Sequence, residues 1–299
     1  LRTVAETARN TAEKARANEA RMNQLTQAVD KVSQAAVLEK YNEMEEADRL
    51  LGSLNAGDVP ASLEAARLLI NAANWNLSRQ RWKQASKRFY LLAHVFAKVD
   101  PADTNANSQE WLAIAPAVIE WGESGQYQDV QRLAVERFSQ TTNPIVAEHL
   151  LKVSLLQPPD AETLQAVAPM RAVLEMAVKG PERHMDAHLV AWAQCALAML
   201  AYRQDDLADA SEWARKSLEN KREPSRSSWN SVILAMIDLR QGRTANALEK
   251  LEEPRSLLER WESDPARFDR GHRLSWSNWG SLRILLREAE AMLGVKQTR

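Results

Sequence analysis

Apolar residues recur three and four positions apart along nearly the whole chain, and runs in which β-branched and polar residues alternate do not occur. This spacing places the apolar side chains on one face of an α-helix. Most of the 11 prolines fall between the periodic segments, where they would end helices. The pattern predicts an all-α fold.

The first segment, residues 3–51, contains neither glycine nor proline and is predicted to be one long helix. Its apolar and small residues alternate at steps of four and three, which is a heptad pattern. They are Val4, Ala8, Thr11, Ala15, Met22, Leu25, Val29, Val32 and Ala36, with Asn18 filling the gap. Such a pattern is typical of a coiled-coil stalk or a dimer helix. The alternative is a solvent-exposed helix, held to the rest of the chain only near residues 37–51. We expect weak self-association through residues 1–36.

After Gly52 the chain changes character, which predicts two regions: a helix over residues 1–52 and a helical repeat domain over 58–299. Four stretches, 66–92, 111–137, 191–217 and 228–254, each place a small residue midway along a first helix. A tight turn follows, and then a small or apolar residue early in a second helix; in three stretches this residue is Ala85, Ala210 or Ala247. A further pair fits over 146–156 and 161–178, with Ala166 as its crossing residue. A last helix over 276–293 would cap the final pair.

This arrangement resembles the tetratricopeptide repeat (TPR), which implies a right-handed superhelix of about five helix pairs. The spacing between crossing residues is longer than in the family, and the large aromatic of its first helix is missing.

Several stretches resemble more closely the C-terminal TPR-like region of large bacterial membrane-anchored serine/threonine protein kinases. They include Leu-Ala-Ile-Ala-Pro-Ala-Val-Ile-Glu at 112–120, Ala-Val-Glu-Arg-Phe at 134–138, Thr-Thr-Asn-Pro at 141–144, Lys-Val-Ser-Leu-Leu at 152–156, and residues 197–203, 233–236 and 285–293. The resemblance implies a regulatory or interaction region of a longer protein. It also implies the extracytoplasmic side of a bacterial membrane; without it, the cytoplasm is the alternative. The chain has no Gly-rich loop, His-Arg-Asp or Asp-Phe-Gly sequence, so no kinase chemistry is predicted here.

Charge and composition limit the kinds of partner that the chain is predicted to bind. The formal net charge is −1, from 39 basic and 40 acidic residues, which gives no support for nucleic acid as a partner. No apolar run approaches 18 residues, so no membrane span is predicted within the chain. We predict no cofactor. The single cysteine, Cys195, lies among Trp192, Leu197 and Met199, which favours a buried, inert thiol over a reactive one.

Candidate chemistry is sparse. His184 and His188 are four residues apart, and two imidazoles at that spacing can bind a metal on a helix. The alternative, which we favour, is a solvated helix start, and we predict no metal site. An enzyme with an unrecognised hydrolytic site is the least favoured of three functions, and we predict no catalytic residue.

The predicted binding surface is a concave groove lined by the first helix of each pair. Helical periodicity assigns to it Arg67, Asn74, Ser78, Trp192, Met199, Tyr202, Arg203, Trp229, Val232, Met236 and Arg240. Aromatic, methionine and arginine side chains are typical of interaction hot spots, and paired arginines favour a carboxylate. The sequence therefore predicts a protein- or peptide-binding scaffold, with a small-molecule sensor as the alternative. It leaves open whether the C-terminal helix, with Trp276 and Trp279, fills the groove instead.

Overall fold

The computed structural model describes residues 2–99, 104–180, 186–264 and 275–294, and in these ranges the chain is helical, without strands. The all-α prediction is confirmed. The helices are α1 (Arg2–Lys40), α2 (Met44–Gly52), α3 (Leu63–Ser78), α4 (Trp82–Phe96), α5 (Thr104–Trp121), α6 (Gln126–Phe138), α7 (Pro144–Leu155), α8 (Ala161–Val167), α9 (Met170–Lys179), α10 (Ala187–Arg203), α11 (Leu207–Leu218), α12 (Pro224–Arg240), α13 (Thr244–Glu262) and α14 (Ser275–Met292). Within these ranges no helix is both long enough and apolar enough to span a bilayer.

Short polar side chains start several of these helices. Ser62 accepts a hydrogen bond from the Ala65 amide, Asn143 caps α7, and Asp186 accepts from two amides at the start of α10. Each such cap satisfies amides that the first helical turn leaves without a partner. The polar residues that precede each apolar run therefore fix where the helices begin.

The chain divides into two compact units, residues 1–99 and 100–299. In the first unit, α1 packs on α2 and α3, and α3 packs on α4. The predicted boundary between residues 52 and 58 therefore falls inside the first unit. The reason is that the pair formed by α3 and α4 packs with α1 and α2 rather than starting a separate domain.

The predicted single helix over 3–51 is interrupted at residues 41–43. Asn42 has a φ of +63°, which ends α1 and lets α2 turn back against it. Asparagine tolerates this left-handed backbone better than most residues, so the chain turns without glycine or proline.

The same turn joins five helix pairs in the two units. One residue with positive φ stands between the paired helices, namely Asn42, Gln80, Gly125, Asp205 or Gly242. Five positions later a buried small or apolar residue lies near the start of the second helix: Ala47, Ala85, Val130, Ala210 or Ala247. Seven positions earlier the first helix carries Ala35, Ala73, Val118, Ala198 or Ala235, each at most 2% exposed. The short side chains let the two helices approach closely where they cross.

In the second unit five helices form a closed ring. The helices α5, α7, α10, α12 and α14 each pack on the next, and α14 packs back on α5. Each of α6, α9, α11 and α13 packs against two neighbours in this ring. The C-terminal helix thus contacts the final pair, and it also joins that pair to the first helix of the unit.

The predicted helix over 161–178 is two helices, α8 and α9, separated at Ala168 and Pro169. Proline lacks the amide hydrogen that helix continuation requires. Ala166, the expected crossing residue, is half-buried, whereas Val167 and Leu174 are fully buried. The break turns the chain so that these two side chains, rather than Ala166, fill the contact.

Candidate functional site

The open part of the predicted surface lies on α3 in the first unit. Arg67, Asn74 and Ser78 follow one side of this helix, and the Arg67 side chain is 52% exposed. Its guanidinium donates to a carboxylate oxygen of Glu39 at 2.5 Å, and the Asn71 amide donates to the other oxygen at 2.6 Å. This side of α3 therefore already holds one carboxylate, supplied by α1 of the same chain.

An aromatic and cationic cluster lies beside this surface. The guanidinium carbons of Arg79 and Arg81 lie 4.3 and 4.9 Å from the centroid of the Trp75 ring. Arg81 also donates to Glu45 at 2.8 Å, and this hydrogen bond lowers the pKa of Glu45. This cluster was not among the binding residues predicted from the sequence. The spacing of four between Trp75 and Arg79, which brings two side chains together on a helix, could have revealed it.

The other eight predicted residues lie on α10 and α12 in the second unit, and most of them are buried. At most 7% of the surface is exposed for Trp192, Met199, Tyr202, Trp229, Val232 and Met236. The Arg203 side chain is 6% exposed, whereas that of Arg240 is 37% exposed and pairs with Asp205 at 2.7 Å. Among these eight predicted residues, Arg240 therefore has the side chain that is most exposed to solvent.

The C-terminal helix contacts part of this set. Arg203 donates through both terminal nitrogens to the Glu288 carboxylate on α14, at 2.5 and 2.7 Å, and its Nε donates to the Leu155 carbonyl at 3.0 Å. The Trp229 indole donates to the Asn278 carbonyl, also on α14, at 2.9 Å. Trp276 and Trp279, the α14 side chains that could have filled the groove, lie instead against Trp121 on α5 and Trp261 on α13. A binding role for the predicted residues on α10 and α12 stays a prediction, and it requires α14 to move.

A second set of contacts joins α14 to α5. Glu120 on α5 has a side chain that is 6% exposed. A terminal nitrogen of Arg283 lies 2.8 Å from its carboxylate, which also pairs with Arg287. A Cβ atom on Gly280 would lie 3.5 Å from the Pro116 Cβ, so the two helices are close at this point. Ion pairs and close packing therefore hold the ring closed.

The ring interior contains a buried ion pair against two tryptophans. The Lys152 ammonium lies 2.7 Å from the Glu148 carboxylate and 3.8 Å from the centroid of Trp192. The Trp192 and Trp229 rings are 5.5 Å apart and nearly perpendicular. This is a cation–π arrangement whose cation is supplied by the chain itself. The sequence analysis missed Glu148 and Lys152, although their spacing of four within an otherwise apolar helix was a usable signal.

Next to this pair, Ser108, His149 and Glu148 form a chain of polar contacts. The Ser108 hydroxyl lies 2.9 Å from His149 Nδ1, and His149 Nε2 lies 3.3 Å from Glu148. Burial lowers the pKa of His149 to about 4, partly opposed by Glu148, so the imidazole is neutral at pH 7. These are the residue types of a hydrolytic triad, but Ser108 is 1% exposed and Glu148 is already paired with Lys152. In this arrangement the cluster links α5 to α7 and is closed to a substrate.

The single cysteine and the histidine pair were the other residues considered for chemistry in the sequence. Cys195 is fully buried, and burial raises its pKa to about 12, which keeps the thiol protonated and unreactive. His184 lies outside the described residues, and His188 begins α10 beside its cap residue Asp186. Across the described ranges no group of three or more His, Cys, Asp or Glu side chains could hold a metal ion.

A cavity of about 600 Å³ lies where α9 ends, α10 begins and α11 ends. Its apolar walls include Val178, Val190 and Ala191. Basic side chains line it as well, and they outnumber the single acidic residue there, Glu219: they are Lys216, Lys221 and Arg222. The volume is within the range of small-molecule sites, and the charge favours an organic anion.

Comparison with protein-family models, with curated proteins and with solved structures found no match to this chain.

Proposed function

We propose that the chain is a non-catalytic scaffold that binds a protein or peptide, and that its helix pairs are divergent TPR-like repeats. The observation that carries the proposal is the turn residue of positive φ, with a buried small residue on each side, which recurs in both units. In stacked repeats of this kind one side of the first helices can bind an extended ligand. In this chain that side is exposed on α3, and on α10 and α12 it is mostly buried. The right-handed superhelix of about five pairs remains part of this proposal.

The binding surface that the contacts support best is the open side of α3. Arg67 is exposed and donates from one terminal nitrogen to Glu39, so a partner's carboxylate can approach the other N–H groups of the same guanidinium. Arg79 and Trp75 extend the surface with a cation and an aromatic ring. Arginine and tryptophan are the residue types that contribute most to protein interfaces. The partner we propose is therefore a peptide that bears carboxylates.

The resemblance to bacterial kinase C-terminal regions adds the expectation of a regulatory role in a larger signalling protein. The extracytoplasmic side of a bacterial membrane is the location that goes with it, and the cytoplasm is the alternative. These expectations rest on the sequence stretches quoted above.

A peptide selection would test the scaffold proposal. A random peptide library displayed on phage is selected on the full chain, and the enriched peptides are measured against Arg67→Glu. The matched control is Arg132→Glu on α6, where the arginine side chain is 55% exposed and lies in the other unit. We expect Arg67→Glu to weaken binding about tenfold, equivalent to about 1.4 kcal/mol, and the control to leave it unchanged. Enriched peptides that carry no excess of carboxylates and bind both variants equally would contradict binding at the open side of α3. A selection that enriches no peptide would contradict the proposed scaffold function.

A small-molecule sensor is the second candidate, and the cavity at the ends of α9 and α11 favours it. A panel of aromatic and aliphatic carboxylates would be screened by thermal shift. We expect any stabilising carboxylate to lose its effect in a variant with Lys221→Glu and Arg222→Glu. A stabilisation that persists in this variant would place the anion elsewhere.

A further inference from the structure

Helix α1 carries two apolar faces, and the rest of the chain covers one of them. Ala28, Val32 and Ala35 are at most 4% exposed and form the face that packs within the first unit. Met22 and Val29 lie about a quarter-turn around the helix, at 100° per residue, and are 62% and 49% exposed. The second face is therefore left uncovered by the described part of the chain.

This uncovered face continues along α1 in a heptad pattern. Its members are Thr11, Ala15, Asn18, Met22, Leu25 and Val29, separated by alternating steps of four and three. Leu25 is half-buried in its own chain, and the other five are exposed. All residues from 11 to 20 are exposed within an unbroken helix. We propose that α1 pairs with α1 of a second copy of the chain as a parallel, in-register coiled coil over residues 11–29.

Charges beside the heptad face decide the orientation. In the heptad Lys14 and Arg21 flank the face on one side, and Glu19 flanks it on the other. A parallel pair places Lys14 against Glu19 of the partner subunit, and symmetry makes this contact twice. An antiparallel pair places Lys14 and Arg21 against the same basic side chains of the other copy, which is repulsive. Arg21 is also held by Asp58 of its own chain. The charge pattern therefore favours the parallel pair.

The composition of the face predicts a weak pair that has a defined register. Ala15 and Thr11 bury little area, so most of the hydrophobic contact comes from Met22, Leu25 and Val29. Asn18 is the one amide in the face, and it finds a hydrogen-bonding partner when it meets Asn18 of the partner subunit. A single polar residue of this kind fixes register at a cost in stability.

Cysteine cross-linking of the full chain tests the pairing. In a parallel pair in register, residues at position 22 face each other within the reach of a disulfide. The background is low because Cys195, the single natural cysteine, is fully buried. We expect Met22→Cys to form covalent dimer under oxidised glutathione about ten times faster than Ala20→Cys, which is exposed on the opposite side of α1. Equal rates at the two positions would overturn the proposal.

A charge exchange tests the orientation independently. Lys14→Glu should weaken the dimer seen by analytical ultracentrifugation, and adding Glu19→Lys should restore it. Circular dichroism of each variant confirms that α1 is still helical. Failure of the double variant to restore pairing would overturn the parallel register. A wild-type chain that sediments as monomer at all concentrations would overturn the self-association.

Discussion

In the first unit the side of α3 that carries Arg67, Asn74 and Ser78 is open, whereas the equivalent side of α10 is mostly buried within the second unit. The equivalence is positional: Arg67 and Trp192 both lie 13 residues before the turn residue of their pair. The pairs themselves are built alike. What differs is the character of these positions, polar where the side is open and mostly apolar where it is covered.

This comparison changes how an aromatic inner face should be interpreted. Trp192, Met199, Trp229 and Met236 have the composition of an interaction hot spot, but in this fold they are buried within the second unit. Trp192 packs against Lys152 of α7, and Trp229 donates to Asn278 of α14. The polar set on α3 is therefore the better guide to where an external partner binds.

The described part of each unit contains a buried ion pair, and removing one partner from each pair should have the largest effect on stability. Arg88 and Asp48 are 2.7 Å apart in the first unit, and Lys152 and Glu148 are 2.7 Å apart in the second. We expect Asp48→Ala and Glu148→Ala each to lower the unfolding free energy by about 3–5 kcal/mol, because a buried cation is left uncompensated.

Denaturant unfolding combined with hydrogen exchange would measure both effects and show in which unit each occurs. Glu136→Ala removes a carboxylate whose side chain is 59% exposed, and it serves as the control with little expected effect. A loss below about 1 kcal/mol for either buried variant would show that the pair is dispensable. Exchange that rises equally in both units would contradict an effect confined to the unit that carries the substitution.

Acidification should weaken the second unit through His149. Its folded pKa of about 4 lies below the unfolded value, so the unfolded chain binds a proton more readily. The contribution is fully present above about pH 6.5 and is lost as the pH falls towards 4, amounting to about 3 kcal/mol. The measurement is unfolding free energy from pH 7 to pH 4 for the wild type and for His149→Gln. Parallel curves for the two proteins would contradict this role.

Opening the cover of the second unit should have a somewhat smaller effect. Arg203→Ala removes both hydrogen bonds to Glu288 and one to the Leu155 carbonyl, and we expect a loss of about 2–3 kcal/mol. Arg240→Ala, on the next helix of the ring, removes a more exposed pair and should change the melting temperature little. Faster hydrogen exchange of α14 in Arg203→Ala alone would support a role for the Arg203–Glu288 ion pair in holding α14 in place. If both variants melt alike, this ion pair does not hold the ring.

Substitutions at the alanines where paired helices cross should have the smallest effect on stability, and a similar one in both units. Ala47→Leu in the first unit and Ala210→Leu in the second each place a larger side chain where two helices cross, and both alanines are at most 1% exposed. We expect each to cost about 1–3 kcal/mol through overpacking. Thermal unfolding of the two variants would measure the costs. An unchanged melting temperature for Ala47→Leu alone would show that α1 and α2 are not a pair of the same kind.

The helical class and most pair boundaries could be predicted from the sequence because they depend on local signals. Apolar periodicity locates helices, and Gly125 and Gly242 mark turns directly. The pair formed by α1 and α2 was missed because residues 3–51 contain neither glycine nor proline and the apolar periodicity continues towards Asn42 without a visible break. Ala35 and Ala47 lie seven positions before and five positions after Asn42, as in the other pairs. This spacing of alanines could have indicated the pair.

The ring closure and its charges could not be predicted in the same way. Glu120 and Arg283 are far apart in sequence, and nothing local indicates that they meet. Lys152 sits in an apolar stretch that periodicity alone assigns to the core, and its partners come from three helices. Contacts of this kind depend on the path of the whole chain.

The contact between Gly280 and Pro116 joins residues more than 160 positions apart, which has a consequence for the order of folding. Contacts this distant in sequence form late, because a long loop must close before they contribute. During synthesis the helices from α5 to α13 emerge before α14 exists, and until then the Glu120 carboxylate lacks Arg283 and Arg287. The apolar sides of α10 and α12 are exposed in that interval. The second unit therefore passes through a stage with an uncovered aromatic face, when aggregation or chaperone binding competes with closure.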